Sequence, residues 1–400
     1  MRPSLHLDII AAAAAQEGHR RIVDEMIERG ATDFSRIAAA AARGHHRQIV
    51  DEMIERGATD FDRIAAAAAE VGDYDLVADM LKHRTTSPTE IAVAAARKGY
   101  KEILRLAIQS GRIDPNFIAV SAAIGGHTDI VDYAIGLGAR DYGWIASEAA
   151  RAGHSTIVYQ MIERGAINFE QIAVSAASHG SLDLVTDMVA RGATDFEQIA
   201  IEAARSGYTA IVDYGIGEME RRTPGRAGDA IDSIAVSAAE GGHRQLVLES
   251  IQLGADNFDQ IAKMAARYGY SEIVLDMVEL GATALTDIAI EATAGDYRDI
   301  VDELVEIGIT DHLPVDVDKI AFRAALFGRE DIVFDMIERG ASNFAEIGAA
   351  SAHMGRLDVV DALISQGLTG PDQIIQAALR KGYPDAVREM MARENPQLKR

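Results

Sequence analysis

Histidine is the side chain in this sequence with the clearest chemical potential, because it can bind a metal ion or carry a proton near neutral pH. Five of the eleven histidines occupy one position of a repeating pattern: His19, His46, His127, His154 and His243. Five other copies of the pattern hold tyrosine at that position: Tyr100, Tyr208, Tyr270, Tyr297 and Tyr383. A metal site does not normally exchange histidine for tyrosine. We therefore interpret these rings as structural, with a polar ring atom bonded to backbone at a turn between helices.

The other candidates for chemistry are weaker. Gly215-Ile216-Gly217 is a fragment of a phosphate-binding loop, but no predicted strand precedes it, as that motif requires. Asp311, His312, Asp316 and Asp318 bring metal-compatible side chains together in one predicted loop. Asp316 also has the position of a helix N-cap, and we favour that role over a metal site. No catalytic constellation stands out from the repeated acidic residues. The sequence predicts neither an enzyme nor a cofactor nor a metal.

The elements that would position any site recur along the whole chain, and one isoleucine marks each copy. The markers are Ile10, Ile37, Ile64, Ile91, Ile118, Ile145, Ile172, Ile199, Ile234, Ile261, Ile288, Ile320, Ile347 and Ile374. Their spacing is 27 residues except at two longer intervals of 35 and 32 residues. A fixed period of this length is typical of stacked supersecondary units. We predict an all-α repeat solenoid of about 14 helix-turn-helix units, forming a single domain over 1–400 with inserts near 219–230 and 309–316.

Signals for helix starts and stops recur within each copy. A residue favoured at helix N-caps stands four positions before the isoleucine in ten copies. These are Asp33, Asp60, Ser87, Asp114, Asp141, Asn168, Asp195, Asn257, Asp316 and Asn343. Ser87 with Glu90, Asn168 with Gln171 and Asn343 with Glu346 also match a capping box. A glycine eight residues after the isoleucine ends the first helix in twelve copies, and it stands one place earlier at Gly44 and Gly295.

The composition limits the choice of partner and compartment. The chain has no cysteine and a formal net charge of −23. A strongly acidic chain without a basic block is a poor match for phosphate backbones and for anionic membranes. We therefore expect that the chain binds neither nucleic acid nor a membrane. We interpret the negative charge as a feature that keeps the protein soluble. The alternative is that the charge attracts a basic partner. We assign the apolar N-terminus to the first repeat rather than to a signal peptide, and expect a cytoplasmic protein.

One half of the repeat resembles a known family. Gly18–Ala31 reads Gly-His-Arg-Arg-Ile-Val-Asp-Glu-Met-Ile-Glu-Arg-Gly-Ala. It is similar to the second-helix half of an ankyrin repeat, Gly-His-x-x-Ile-Val-x-x-Leu-Leu-x-x-Gly-Ala, and the match recurs at Gly126–Ala139, Gly153–Ala166 and Gly242–Ala255. Ankyrin units have about 33 residues, and the Thr-Pro-Leu-His signature is absent here. The six missing residues fall where ankyrin repeats carry a β-hairpin finger.

This resemblance implies an ankyrin-like variant without the finger, similar to divergent arrays in large DNA viruses of amoebae. The resemblance to this family also implies that the chain binds a protein partner on the concave side, where the first helices lie. A viral origin would imply the host cell as the location.

Departures from the repeat are candidates for binding residues, because binding need not obey a packing pattern. The position before the isoleucine is usually polar, yet it holds Phe117 and Trp144 in two adjacent copies. Helix spacing predicts that the two rings lie about 10 Å apart on one face. Tyr133 and Tyr159 belong to the same two copies. Exposed aromatic residues are typical binding hot spots, although local repacking would explain these residues equally well.

A second departure lies in later copies, where apolar residues occupy the polar side of the first helix. These residues are Tyr268, Phe322, Leu326, Phe327 and Met354. We favour a binding groove over a locally curved stretch that covers these side chains. The two inserts could carry function or could be tolerated drift. The function we predict is a protein–protein interaction scaffold that uses the concave first-helix face. The alternative is a structural component of a particle built from the rod itself.

Overall fold

The computed structural model describes residues 3–83, 88–225 and 227–394. These residues form 28 α-helices and no strand, two helices for each repeat, so the all-α tandem-repeat fold is confirmed. The first helices are α1 (Pro3–Gln16), α3 (Phe34–Arg43), α5 (Phe61–Val71), α7 (Pro88–Lys98), α9 (Pro115–Ile124), α11 (Tyr142–Arg151), α13 (Phe169–His179), α15 (Phe196–Ser206), α17 (Ala227–Glu240), α19 (Phe258–Tyr268), α21 (Leu285–Gly295), α23 (Val317–Phe327), α25 (Phe344–His353) and α27 (Pro371–Lys381).

The second helices alternate with the first helices along the chain. They are α2 (Arg20–Glu28), α4 (Arg47–Glu55), α6 (Tyr74–Met80), α8 (Lys101–Ser110), α10 (Thr128–Gly136), α12 (Ser155–Glu163), α14 (Leu182–Ala190), α16 (Thr209–Arg222), α18 (Arg244–Gln252), α20 (Ser271–Glu279), α22 (Arg298–Thr310), α24 (Glu330–Glu338), α26 (Leu357–Ser365) and α28 (Pro384–Glu394). The helices form two compact units, Met1–Asp195 and Phe196–Arg400, which we call the N-terminal and C-terminal units.

The core of each unit is built from the positions that define the repeat. Every marker isoleucine from Ile37 to Ile374 is 0 or 1 % exposed, and the alanines that follow it are buried as well. The second helices contribute larger side chains such as Val50 and Met53, which are fully buried. Helices of about ten residues are not stable alone in water, so each depends on this shared core.

The two kinds of helix pack differently within each unit. Within a unit, each first helix packs extensively against the next first helix, whereas successive second helices touch much less. The small alanines of the first helices allow this close approach, and the larger side chains of the second helices fill the space between repeats. Within each unit, the first helices therefore form the more tightly packed layer.

The left-handed stop at the end of the first helix occurs at a fixed position even where glycine does not. Gly18, Gly72 and their equivalents have φ near +80°. In the two copies with an early glycine, the following residues His45 and Asp296 take the left-handed conformation instead, with φ of 59° and 70°. Gly44 is needed where it stands, because a Cβ there would lie 2.0 Å from the Gln16 carbonyl oxygen.

Some of the predicted caps are wrong. Asp33, Asp60 and Asp141 accept hydrogen bonds from backbone N–H groups of the first turn, as predicted. Asn168 and Asn343 do not, because each turns its side-chain amide back toward the preceding repeat. Asn168 donates to the Gly143 carbonyl at 3.0 Å and Asn343 donates to the Asp318 carbonyl at 3.1 Å. Their capping boxes are therefore not formed, and Ser87 lies outside the described residues.

The inserts lengthen second helices. The second helix has nine residues in most repeats, but α16 has 14 and α22 has 13. The Arg222 guanidinium at the end of α16 lies 4.6 Å from the centroid of the Phe196 ring. The extra turn of α16 is thus anchored on its own repeat, and Arg226 lies outside the described residues.

Candidate binding surface on the first helices

Several of the loops that lead into a first helix are fixed by a side chain of the preceding repeat. This acceptor stands two residues before the marker isoleucine and receives two consecutive backbone N–H groups of the next loop. Asn116 Oδ1 accepts from the N–H of Arg140 at 2.9 Å and from that of Asp141 at 3.1 Å. The same arrangement occurs at Asp8, Ser35, Glu170, Asp232, Asp259 and Asp318. We call these side chains the loop acceptors.

This arrangement positions one of the predicted binding residues. Asp141, held by the loop acceptor Asn116, accepts the backbone N–H of Trp144 at 3.1 Å. Ile145, next to Trp144, is fully buried. The Trp144 backbone is thus fixed from both sides.

Phe117 and Trp144 form an edge-to-face pair across adjacent first helices, α9 and α11. Their ring centroids lie 5.6 Å apart and their planes make an angle of 83°. This separation is shorter than helix spacing predicts, because the two side chains lean toward each other. Phe117 is 45 % exposed and Trp144 is 38 % exposed. Two large rings are therefore held together yet open to solvent on the first-helix face.

Tyr133 and Tyr159 do not join this pair. They belong to the second helices α10 and α12, where both are exposed. Tyr133 lines a small pocket of about 170 Å³ with Leu104 and Arg105 of the neighbouring second helix α8. Burial and the nearby carboxylate of Asp187 raise the pKa of the Tyr159 hydroxyl. The structure thus separates these tyrosines from the first-helix face.

The C-terminal unit carries the second predicted group along its first helices, with cations beside the rings. Phe322 is half-buried, and the Lys381 Nζ lies 4.6 Å from its ring centroid. The Arg323 guanidinium lies 5.4 Å from the centroid of the exposed Phe327 ring. Phe322 and Lys381 also line a groove of about 440 Å³, together with the acidic side chain of Glu346. This surface therefore mixes apolar and charged groups.

The other members of that group are spread along the same side. Tyr268 is 43 % exposed and lies on α19, two repeats before Phe322, where its hydroxyl donates to Glu240 at 3.4 Å. Leu326 is half-buried, and Met354 just beyond α25 is exposed. The predicted residues thus form an extended row rather than one cluster.

Three of the repeated rings, those of His127, His154 and His243, make the predicted bond to backbone. Nε2 of His127 pairs with the Arg97 carbonyl at 3.1 Å, and His243 pairs with the Arg205 carbonyl at the same distance. Most of the repeated rings also lie against the left-handed glycine of the preceding repeat, as His46, Tyr100 and His154 do. A Cβ at Gly99 would approach the His127 ring to 2.7 Å. Tyrosine can replace histidine because it fills the same space: a Cβ at Gly242 would meet the Tyr270 ring at 2.4 Å.

The remaining chemical candidates have structural roles or form no site. Asp316 caps α23 by accepting the Lys319 N–H at 2.9 Å. Gly215 packs closely on Ala200 and so fits the helix interface. In the described parts of the chain, no group of three or more histidine and acidic side chains could hold a metal ion. None of the helices described is long and apolar enough to cross a membrane.

Two regular features escaped prediction from sequence. The loop acceptors have a visible signal, since oxygen-bearing side chains recur two residues before the isoleucine. The second feature is a series of ion pairs between successive second helices, such as Arg56 with Asp24 and Arg164 with Asp132, both at 2.8 Å. These pairs are separated by 32 residues and hence are invisible until the repeats are stacked. They neutralise part of the acidic second-helix surface.

Comparison with known proteins gives no family for this chain. No protein-family model matches this chain, and no curated protein matches it. Among solved structures, the chain is similar to the pentatricopeptide repeat protein PPR10 from maize, with 13 % identity over 98 % of this chain and 68 % of that one, and a TM-score of 0.32. PPR10 in complex with an 18-nt psaJ RNA element has a TM-score of 0.36 at 13 % identity, over 93 % of this chain and 65 % of that one. A circular tandem repeat protein has 16 % identity over 97 % of both chains and a TM-score of 0.16.

These structures correct one prediction. The exclusion of a nucleic-acid partner is wrong, since PPR10, a helical-repeat protein, is bound to an 18-nt psaJ RNA element in one of these structures. The error lies in using the net charge of the whole chain. Some helical-repeat proteins bind RNA through a few side chains in each repeat, so the total charge does not decide the question.

Proposed function

We propose that this chain is a non-catalytic scaffold that binds a partner protein through the concave face of its first helices. The observation that carries the proposal is the exposed Phe117–Trp144 pair, with ring centroids 5.6 Å apart. Large aromatic residues on a rigid surface are the usual anchors of protein interfaces, and losing one commonly costs about 2–4 kcal/mol of binding free energy. The closer packing of the first helices supports their placement on the concave side.

We also propose that the repeat is a short relative of the ankyrin unit in which the finger has been replaced. The support comes from the short loop between repeats. Its backbone N–H groups would lack partners in a short connection without further contacts, but here the loop acceptor of the preceding repeat binds them, as at Asp259. An experimental structure with each Gly-Ala turn passing directly into the next helix supports this relationship. A β-hairpin at those turns contradicts it.

The scaffold proposal is tested by affinity purification from the native host with mass spectrometry. The variants are Trp144→Ala and Phe117→Ala, with Gln171→Ala as the matched control, because Gln171 is exposed at the same position of the next repeat. We expect each aromatic variant to lose at least one protein that the parent and the control retain. Circular dichroism checks that the helices are kept.

Two results would overturn the proposal. One is an unchanged set of proteins when both rings are removed from a folded chain. The other is loss of bound RNA with no change in bound protein, which would assign the surface to nucleic acid. Phe327→Ala, tested in parallel, asks the same question of the C-terminal unit, where Phe327 is 37 % exposed.

A further inference from the structure

We propose that the corner between Phe117 and Trp144 binds the ammonium group of a lysine side chain on the partner protein. The inference rests on the proposed function, because the lysine belongs to a protein that docks on the first-helix face. It goes further in naming the chemical group that these two rings recognise.

The geometry of the pair suits a single compact cation. The ring planes meet at 83° with centroids 5.6 Å apart, so a group placed in the corner lies against the π face of both rings. Aromatic faces carry partial negative charge, and a cation within about 6 Å of a ring centroid is attracted to it, most strongly to tryptophan. An ammonium group is a compact charge that fits between two perpendicular faces, whereas a planar guanidinium stacks on one face.

Elsewhere in the chain, three phenylalanine rings already have a cation of their own. Cations of this chain lie 4.6 Å from the ring centroid of Phe196, 4.6 Å from that of Phe322 and 5.4 Å from that of Phe327. Among the residues that the structure describes, no such contact involves Phe117 or Trp144. The faces of the Phe117 and Trp144 rings are therefore available to a cation from another molecule.

The charges around the corner favour a cation as well. Glu148 lies one helical turn after Trp144 on α11, and its side chain is 25 % exposed. Glu90 is exposed at the position of the preceding repeat that corresponds to Phe117. Asp141 places a further carboxylate at the first turn of α11, bonded to the backbone N–H of Trp144. Arg151, which pairs with Glu148 at 3.6 Å, offsets one of these charges. The formal net charge of −23 adds a long-range attraction for a basic partner.

Binding in the corner can be followed by tryptophan fluorescence, because Trp144 is the single tryptophan of the chain. We would titrate the full chain with Nα-acetyl-lysine methylamide and follow Trp144 emission. The matched probe is Nα-acetyl-norleucine methylamide, which has an alkyl chain of similar length without the ammonium group. We expect a saturable response with a Kd about threefold to thirtyfold lower for lysine than for norleucine, the range of a cation–π contact. Equal affinities, or no saturable response to lysine, would overturn the inference.

Variants of Phe117 test whether the preference for lysine depends on the π face of an aromatic ring or only on an apolar side chain at this position. We expect Phe117→Tyr to keep the preference for lysine over norleucine and Phe117→Leu to lose most of it, while Gln171→Ala leaves it unchanged. A preference that survives in Phe117→Leu contradicts the corner geometry. The arginine analogue should bind more weakly than lysine, and tighter binding by arginine would overturn the assignment to lysine.

The two proposals fail separately. The titration uses no partner protein, so a failed lysine preference leaves the affinity-purification result untouched. Conversely, an unchanged set of proteins in the purification with both rings removed would overturn the scaffold while leaving a measured lysine preference in place.

Discussion

The loop acceptors lead to a local prediction that can be worked out from the structure. Asp259 accepts the backbone N–H of Thr283 at 2.7 Å and that of Ala284 at 2.9 Å. Asp259→Ala removes both bonds at once. A hydrogen bond to a charged acceptor contributes about 1.5–3 kcal/mol, but water can reach Thr283, which is exposed. We therefore expect the loop to open more easily by about 2 kcal/mol in total.

Hydrogen exchange measures this change where it occurs. An opening free energy lower by about 2 kcal/mol corresponds to exchange about thirtyfold faster at the amides of Thr283 and Ala284. The loop held by Asp232 serves as an internal control, because its amides at Asp256 and Asn257 are bound in the same way and should keep their rates.

The matched variant is Asp259→Asn, which keeps one acceptor oxygen. Asn116 makes the same two bonds elsewhere in the chain, so the asparagine variant should retain most of the protection. The reasoning is refuted if Asp259→Ala leaves both amides protected, or if asparagine and alanine accelerate exchange equally.

Two further predictions concern strain and charge. His45→Gly should raise the free energy of unfolding of the N-terminal unit by about 1 kcal/mol, because His45 has φ of 59°. Urea unfolding measures it, and Gly44→Ala should lower the same quantity. Hydrogen bonds from Lys82 and then Arg47 lower the pKa of Asp79 from its usual 3.8 to about 2. The charged carboxylate therefore stabilises the fold fully above pH 4, and this contribution is lost as the pH falls through 2. Lys82→Met should move the midpoint of the Asp79 carboxyl titration, followed by NMR, back toward 3.8.

Each of these two predictions has a result that would contradict it. An unchanged or lower urea midpoint in His45→Gly would show that the left-handed residue is not strained. A carboxyl titration of Asp79 that is the same with and without Lys82 would show that the lysine does not stabilise the charged form.

The repeat, the helices and the core could all be predicted from the amino-acid sequence alone. The isoleucine period and the alanine stripes required two short helices in each copy, and neither helix could bury its apolar stripe alone. The histidine and tyrosine exchange was also sufficient to predict a structural ring, because few metal sites tolerate that exchange. These conclusions depend on local patterns that recur many times.

The contacts that cross from one repeat to the next became visible only in the folded chain. Asn168 was predicted as a cap, but a neighbouring glycine at 143 leaves room for its amide to bond backward. His45 adopts a left-handed conformation because the stack fixes where the first helix ends. The edge-to-face meeting of Phe117 and Trp144 likewise follows from stacking. Side-chain directions at a repeat interface depend on both neighbours, and a single repeat's sequence does not contain that information.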